Sequence, residues 1–276
     1  METYDFQSLL SSGRLKDRKA ALTIGVFDGT HKGHQKLIER VVDEAEKEKD
    51  CISVVITFSI NPKPGIPRNI DTIRLREEEI KKMGVNSFVV IDFSPEFSRI
   101  SASGFIDMIT SLCIPRILVV GEDFRFGNPK DSASAYDLDS MFRLRGAQCR
   151  VEIEKAILTE GGEKISSTLV RRVIEKGETG CIPNLTGRKY RIDLMPCPFR
   201  LGDGFLEIST KSIHQLLPPP GAYDATLLGR NGVLMDGVCR IERDNLLFSS
   251  PQGDPYFLEM EKDGVLPDSI FFGERK

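Results

Sequence analysis

The chain has 276 residues, 40% apolar and 29% charged, with a formal net charge of −3. That length gives one large domain or two modest ones with a real core, and the near-neutral balance supplies no global field toward nucleic acid or a membrane. The first nineteen residues lack the basic start and long apolar stretch of a signal peptide, and no run reaches the roughly 18 apolar residues of a membrane span, so a cytoplasmic address is expected.

Short Val/Ile-rich runs alternate with helical patterns through the first two thirds. "ALTIGVF" (21–27), "CISVVITF" (51–58), "SFVVIDF" (87–93), "RILVVG" (116–121) and "CRVEIEKAI" (149–157) read as strands covered on both faces. Between the first two, Leu37, Ile38, Val41, Val42 and Ala45 recur at helical spacing over 35–49. Further helices are expected over 73–84, 101–113 and 134–146, the first of them ending at a glycine. Such alternation predicts a Rossmann-like α/β domain with a parallel sheet. The stretch 178–187, "ETGCIPNLTG", reads as a linker, and no helix is expected beyond it. "KYRIDLM", "GFLEIST", "AYDATLL", "VLMDGVCRI", "NLLFSS" and "YFLEM" follow as short strands, which suggests a small antiparallel β-barrel or sandwich. The expected division is 1–180 and 186–276.

Cys51, Cys113, Cys149, Cys181, Cys197 and Cys239 form no close CxxC pair, so a zinc site is not expected and buried, inert thiols are. Histidine is scarce. Two of the three, His31 and His34, flank Gly33 in "GVFDGTHKGH" (25–34), directly after the first strand. In a parallel α/β sheet ligands bind beyond the carboxyl ends of the strands, and a helix start there favours an anion. A helix beginning around His34 would put both imidazoles on one face, and Gly33 would let a phosphate approach the backbone. Imidazoles so placed can donate hydrogen bonds to charge building on phosphate.

Two more strings carry chemistry. In "GEKISSTLVRRVIEKG", Ser166, Ser167 and Thr168 precede a helical pattern as caps, and Arg171 follows Thr168 by three, able to face the same anion. In "GEDFRFG" (121–127), Phe124 and Phe126 alternate with Asp123 and Arg125 between glycines directly after a buried strand, suited to lining a pocket for a flat ring.

These residues resemble the HxGH nucleotidyltransferases. "IGVFDGTHKGH" (24–34), "VGEDFRFG" (120–127), "ISSTLVRR" (165–172) and, more weakly, "VITFSINPKP" (55–64) are similar, in that order, to the adenylyltransferase module of bacterial FAD synthetases. The resemblance covers residues 20 to 180. It implies transfer of AMP from ATP to FMN with Mg²⁺, the small molecules ATP and FMN as partners without nucleic acid or membrane, and FAD as product. His31, His34 and Arg171 would be the catalytic groups. Gly25, Phe27, Asp28, Gly33, Gly121, Ser166, Ser167 and Thr168 would bind ATP, with Asp28 chiefly shaping the loop. Phe58, Asn61, Pro62, Asp123, Phe124 and Arg125 would bind the flavin.

The family's glutamate–proline–histidine–proline after the phenylalanine is replaced here by Ser59, Ile60, Asn61 and Pro62. Asn61 can donate a hydrogen bond but carries no charge. The riboflavin kinase signature, glycine–phenylalanine–proline–threonine–alanine–asparagine, is absent, and only "LLPPPGAYDATLL" (216–228) resembles that barrel. Residues 186–276 are therefore expected to form a kinase-derived barrel without kinase chemistry. The alternatives are a non-catalytic flavin or nucleotide binder, and an adenylyl- or cytidylyltransferase acting on another phosphorylated metabolite. His214, alone in the C-terminal third, reads as structural.

Overall fold

The computed structural model describes residues 1–61, 65, 68–202, 204–250 and 266–276. The chain divides into two compact units, 1–66 with 76–164, and 67–75 with 165–276.

The first unit contains β1 (Glu2–Asp5), α1 (Phe6–Ser12), β2 (Lys19–Ile24), α2 (Lys32–Lys47), β3 (Cys51–Phe58), most of α3 (Ile73–Lys82), β4 (Ser87–Ile91), α4 (Ala102–Leu112), β5 (Ile114–Gly121), β6 (Arg125–Asn128), β7 (Asp131–Ser134), α5 (Leu138–Arg143) and β8 (Arg150–Glu154). Six strands form one parallel sheet in the order β1-β4-β3-β2-β5-β8. The chain winds one way from β2 through β3 to β4, then returns to the other side of β2 with β5 and β8. The reversal lies between β2 and β5, where such sheets bind ligands.

All five expected strands form. Their alternate side chains serve opposite faces. Leu22, Ile24, Val54, Ile56, Val89, Leu118 and Val120 pack with Phe6 and Leu9 of α1, with Phe105, Ile106 and Ile109 of α4, and with Phe142 of α5. Helix α2 lies along β2, β3 and β5 and buries Leu37, Ile38, Val41 and Ala45, the three larger side chains each worth about 1.5–3 kcal/mol. Strand β1 and helix α1 are additions to the expected pattern. Asp5 caps α1 by accepting from the Ser8 amide at 2.8 Å, and Gly13 closes it in the left-handed region.

The second unit holds α6 (Ser167–Glu175), α7 (Ile182–Thr186) and strands β9 (Tyr190–Asp193), β10 (Phe199–Gly202), β11 (Phe205–Ser209), β12 (Gly221–Gly229), β13 (Leu234–Ile241), β14 (Asn245–Ser249) and β15 (Pro267–Arg275). The strands form one antiparallel sheet, β10-β11-β14-β13-β12-β15-β9, curved as a half-barrel. Tyr223, Leu227, Met235, Cys239, Leu246, Phe248, Ile270 and Phe272 are buried in it. Residues 67–75 are tied to this unit by polar contacts. Arg74 pairs with Asp193 at 2.6 Å and Asp268 at 3.2 Å, and Gln215 donates to the Ile70 carbonyl at 2.7 Å.

The expected linker at 178–187 is a correction. It is a 3-10 turn (Thr179–Cys181) running into α7, because Pro183 suits a helix start and Gly187 (φ 76°) caps its end. Strands β10 and β15 were not anticipated, and "YFLEM" (256–260) lies outside the described residues. The compact units part at Lys164, whereas the functional division was expected near 180. No helix among the described residues is long and apolar enough to cross a membrane.

Candidate active site

The loop from β2 to α2 carries the histidines and is held in an unusual shape. Phe27 (φ 50°) and Thr30 (φ 35°) both adopt positive φ, a costly choice for side chains branched or bulky near the backbone. Local bonds hold it. The Thr30 amide donates to the Phe27 carbonyl at 3.1 Å, and Gln35 reaches back to the Thr30 carbonyl at 2.8 Å. Asp28 is fully buried against the guanidinium of Arg76, also fully buried, at 3.7 Å.

Helix α2 begins at Lys32, earlier than expected, with His31 as its N-cap. Gly33 and His34 therefore sit in the first turn. The His34 amide donates to Nδ1 of His31 at 3.4 Å, which puts the proton of a neutral His31 on Nε2. The rings stack with centroids 3.6 Å apart and planes 23° apart, and Phe27 meets His34 edge-on at 5.2 Å. Burial lowers the His31 pKa to about 4, against a pull upward from Asp123 and a push downward from Lys164. Burial, then His31, then Arg76 hold His34 well below the ordinary imidazole range. Both rings are neutral at pH 7. The Nδ1 of His34 is buried and, among the described residues, has no hydrogen-bond partner.

Beside this loop, at the reversal of the sheet, lies a cavity of about 310 Å³. Phe58, Phe93, Phe97, Phe105, Phe124 and Phe126 give it an aromatic wall, and Gly25, Asp123, Arg125 and Gly127 add backbone and charge. Phe124 and Phe126 stack at 5.5 Å. Asp123 pairs with Lys164 at 2.8 Å. The second half of "GEDFRFG" is strand rather than loop. It forms the β6–β7 hairpin, which is pinned where the Asn128 amide donates to the Ile100 carbonyl at 2.9 Å.

In the second unit, Ser166 caps α6, accepting from the Leu169 amide at 3.3 Å, with Ser167 as the first helical residue and Thr168 exposed. One turn on, Arg171 donates to the Arg68 carbonyl at 2.8 Å.

The structure thus gathers Gly25, Phe27, Asp28, His31, Gly33 and His34 on one loop and helix start, and Gly25, Phe58, Asp123, Phe124 and Arg125 around one cavity. Gly121 ends β5, short of the cavity lining. Asn61 is partly buried and does not line the cavity, and Pro62 lies outside the described residues. Sequence reasoning missed Phe93, Phe97 and Phe105. A signal existed for the first two, which follow β4 at the carboxyl end of the sheet. It also missed Arg76, which lies in the helix expected over 73–84.

Among the described residues no three His, Cys, Asp or Glu side chains group as a metal cage, and the Asp28 carboxylate is engaged by Arg76. The donor set suits a cation carried by a polyphosphate and water better than one resident on the protein. The six cysteines are free, and burial pushes the thiols of Cys113 and Cys149 up to about 12.

The FAD synthetase family profile matches residues 14–169, more than half of the chain. The bifunctional riboflavin kinase/FMN adenylyltransferase of Escherichia coli is 26% identical over 232 residues, 80% of this chain and 72% of that one. Its Bacillus subtilis counterpart of the same name is 28% identical over 236 residues, 81% of this chain and 72% of that one. The crystal structure of a macrolide-efflux protein from Streptococcus pneumoniae superposes with a TM-score of 0.80 at 22% identity, covering 100% of this chain and 91% of that one, a likeness of fold. By the extent of the profile match, the chain belongs to the FAD synthetase family of nucleotidyltransferases.

Proposed function

We propose that this chain is an FMN adenylyltransferase. A terminal phosphate oxygen of FMN attacks the α-phosphorus of ATP, the bond to the β-phosphate oxygen breaks, and FAD and pyrophosphate are released. The aromatic cavity beside the stacked histidines carries this reading. A flat apolar ring fits its phenylalanine wall, while a phosphate chain leaving it would meet the start of α2, whose free amides favour anions.

Attacker and target are both anionic, so catalysis rests on alignment and charge stabilisation rather than a covalent intermediate. His31, neutral with its proton on Nε2, donates to the phosphate as charge builds, and His34 supports the same face. Ser166, Ser167, Thr168 and Arg171 are assigned to the β- and γ-phosphates, a role supported by the family resemblance and by the cap at the start of α6. Gly121 lies on the nucleotide side, and Phe58, Asp123, Phe124 and Arg125 face the flavin. Asn61 and Pro62 keep a flavin-side role by resemblance alone. ATP enters as its magnesium salt, a substrate.

Riboflavin kinase activity is not part of the proposal, because the kinase signature string is missing from 186–276. Both substrates are small soluble metabolites, which supports a cytoplasmic setting without nucleic acid or membrane. Incubation with magnesium, ATP and either FMN or riboflavin, followed by separation of the flavins, tests all of this. FAD and pyrophosphate from FMN, and no product from riboflavin, are expected. Binding without pyrophosphate release would replace the enzyme by a sensor. FMN formed from riboflavin would restore the kinase. Turnover of another phosphorylated acceptor in place of FMN would move the substrate class.

A further inference from the structure

We propose that Arg76 is a positioning residue for adenylyl transfer, holding the histidine loop in its productive shape from helix α3 through Asp28, Thr57 and the Phe58 carbonyl. The inference deepens the adenylyltransferase reading and rests on it.

Arg76 has no exposed surface. A guanidinium is almost never buried this completely without dedicated partners. Nη2 faces the Asp28 carboxylate at 3.7 Å, and Nη1 donates to Thr57 Oγ1 at 3.0 Å and to the Phe58 carbonyl at 2.9 Å. Thr57 Oγ1 in turn donates to the Val26 carbonyl at 2.8 Å. One planar fork therefore ties the end of β3 to two points of the loop, Val26 and Asp28. Between them sits Phe27, at positive φ and with its ring edge-on to His34. Positive φ at a phenylalanine persists only where the surroundings over-determine it. The tie through Val26 and Asp28 supplies that constraint on both sides of the residue.

Arginine suits the task better than lysine, because three acceptors in different directions match a rigid fork and not a point charge. Complete burial keeps Arg76 away from any substrate, so it acts through the loop. The charged and titratable groups facing His34 are His31 on the same helix start and Arg76 from α3, while Asp123 and Lys164 face His31. A fixed cation behind His34 opposes its protonation and favours the neutral donor form.

The test uses the full-length chain as Arg76→Lys, Thr57→Val and the charge-neutral double variant Asp28→Asn/Arg76→Gln. Three quantities are read: kcat and KM for each substrate, FMN affinity from flavin fluorescence anisotropy, and the ring resonances of His31 and His34. If Arg76 positions the loop, Arg76→Lys and Thr57→Val bind FMN within about twofold of wild type, as interactions elsewhere should. Their kcat falls about 10- to 100-fold, the scale of small misplacements at a reacting centre. The ring-current-shifted His34 signals move, and the double variant is at least as slow.

Wild-type kcat and unmoved His34 signals in both single variants would overturn the proposal. So would wild-type kcat in the double variant, since the pair would then only offset its own buried charge. If the double variant does not fold, the two conservative replacements decide. If the wild-type chain makes no FAD, the adenylyltransferase reading fails, and the His34 resonances alone decide whether Arg76 holds the loop.

Discussion

His31 and His34 lie ring on ring, 3.6 Å between centroids, the first capping α2 and the second within its opening turn. Stacked and buried, the pair resists protonation, and burial takes His31 to about 4. In the unfolded chain each would titrate near 6.5. Below that pH the unfolded state binds more protons than the native state, so stability is full above 6.5 and falls as the pH drops toward 4. The contribution of His31 is about 3 kcal/mol across that window. Urea midpoints measured between pH 4 and 7 should show this slope, and His31→Gln should flatten it.

The cavity wall predicts which substrate each replacement touches. Phe124 stacks on Phe126 and faces the cavity, so Phe124→Ala removes one ring from the flavin side. FMN affinity should weaken about tenfold, the equivalent of 1.4 kcal/mol. The KM for ATP should change little. Equal weakening of both substrates would place the ring elsewhere in the reaction.

Anion recognition predicts a different pattern. His31→Ala and Arg171→Ala should each lower kcat/KM for ATP at least tenfold, about 1.4 kcal/mol of transition-state binding, with FMN binding in the aromatic cavity retained. Arg171→Ala should also weaken product inhibition by pyrophosphate, because its fixed charge is assigned to the leaving group. Unchanged FAD formation in both variants would remove these assignments.

Gly127 sets the β6–β7 hairpin against the start of α4. Its φ is 87°, and a Cβ there would come within 2.3 Å of the Asp131 carbonyl and 2.7 Å of the Ala102 amide nitrogen. Backbone must move to admit it, at a cost of about 1–3 kcal/mol. Gly127→Ala should therefore lower the melting temperature and loosen FMN binding together. Gly121→Ala, whose Cβ would meet only the end of the Asp123 side chain at 3.3 Å, should be milder.

The first unit was legible because its signals are local. Strand β3 occupies the predicted 51–58, and the stripe of Leu37, Ile38, Val41 and Ala45 is the buried face of α2. What escaped was set by distant partners. Arg76 sits in a run of charged residues, and only folding shows that it turns inward to Asp28. Phe105 lies within the helix expected over 101–113 and packs in the core, yet its ring also reaches the cavity. Conversely Pro183 and Gly187, punctuation that suggested a linker, turn out to start and stop a short helix. Loop and helix termini use the same residues, and which one forms depends on what Ile182 and Leu185 find to pack against.

The aromatic wall has an optical consequence. Tyrosine and tryptophan donate electrons to an excited flavin and extinguish its light. Phenylalanine, harder to oxidise, does not. The chain contains no tryptophan, and among the described residues every aromatic side chain lining the cavity is a phenylalanine. A flavin seated there would keep glowing, so that dimming during turnover would report the adenine ring folding onto the new dinucleotide rather than the act of binding.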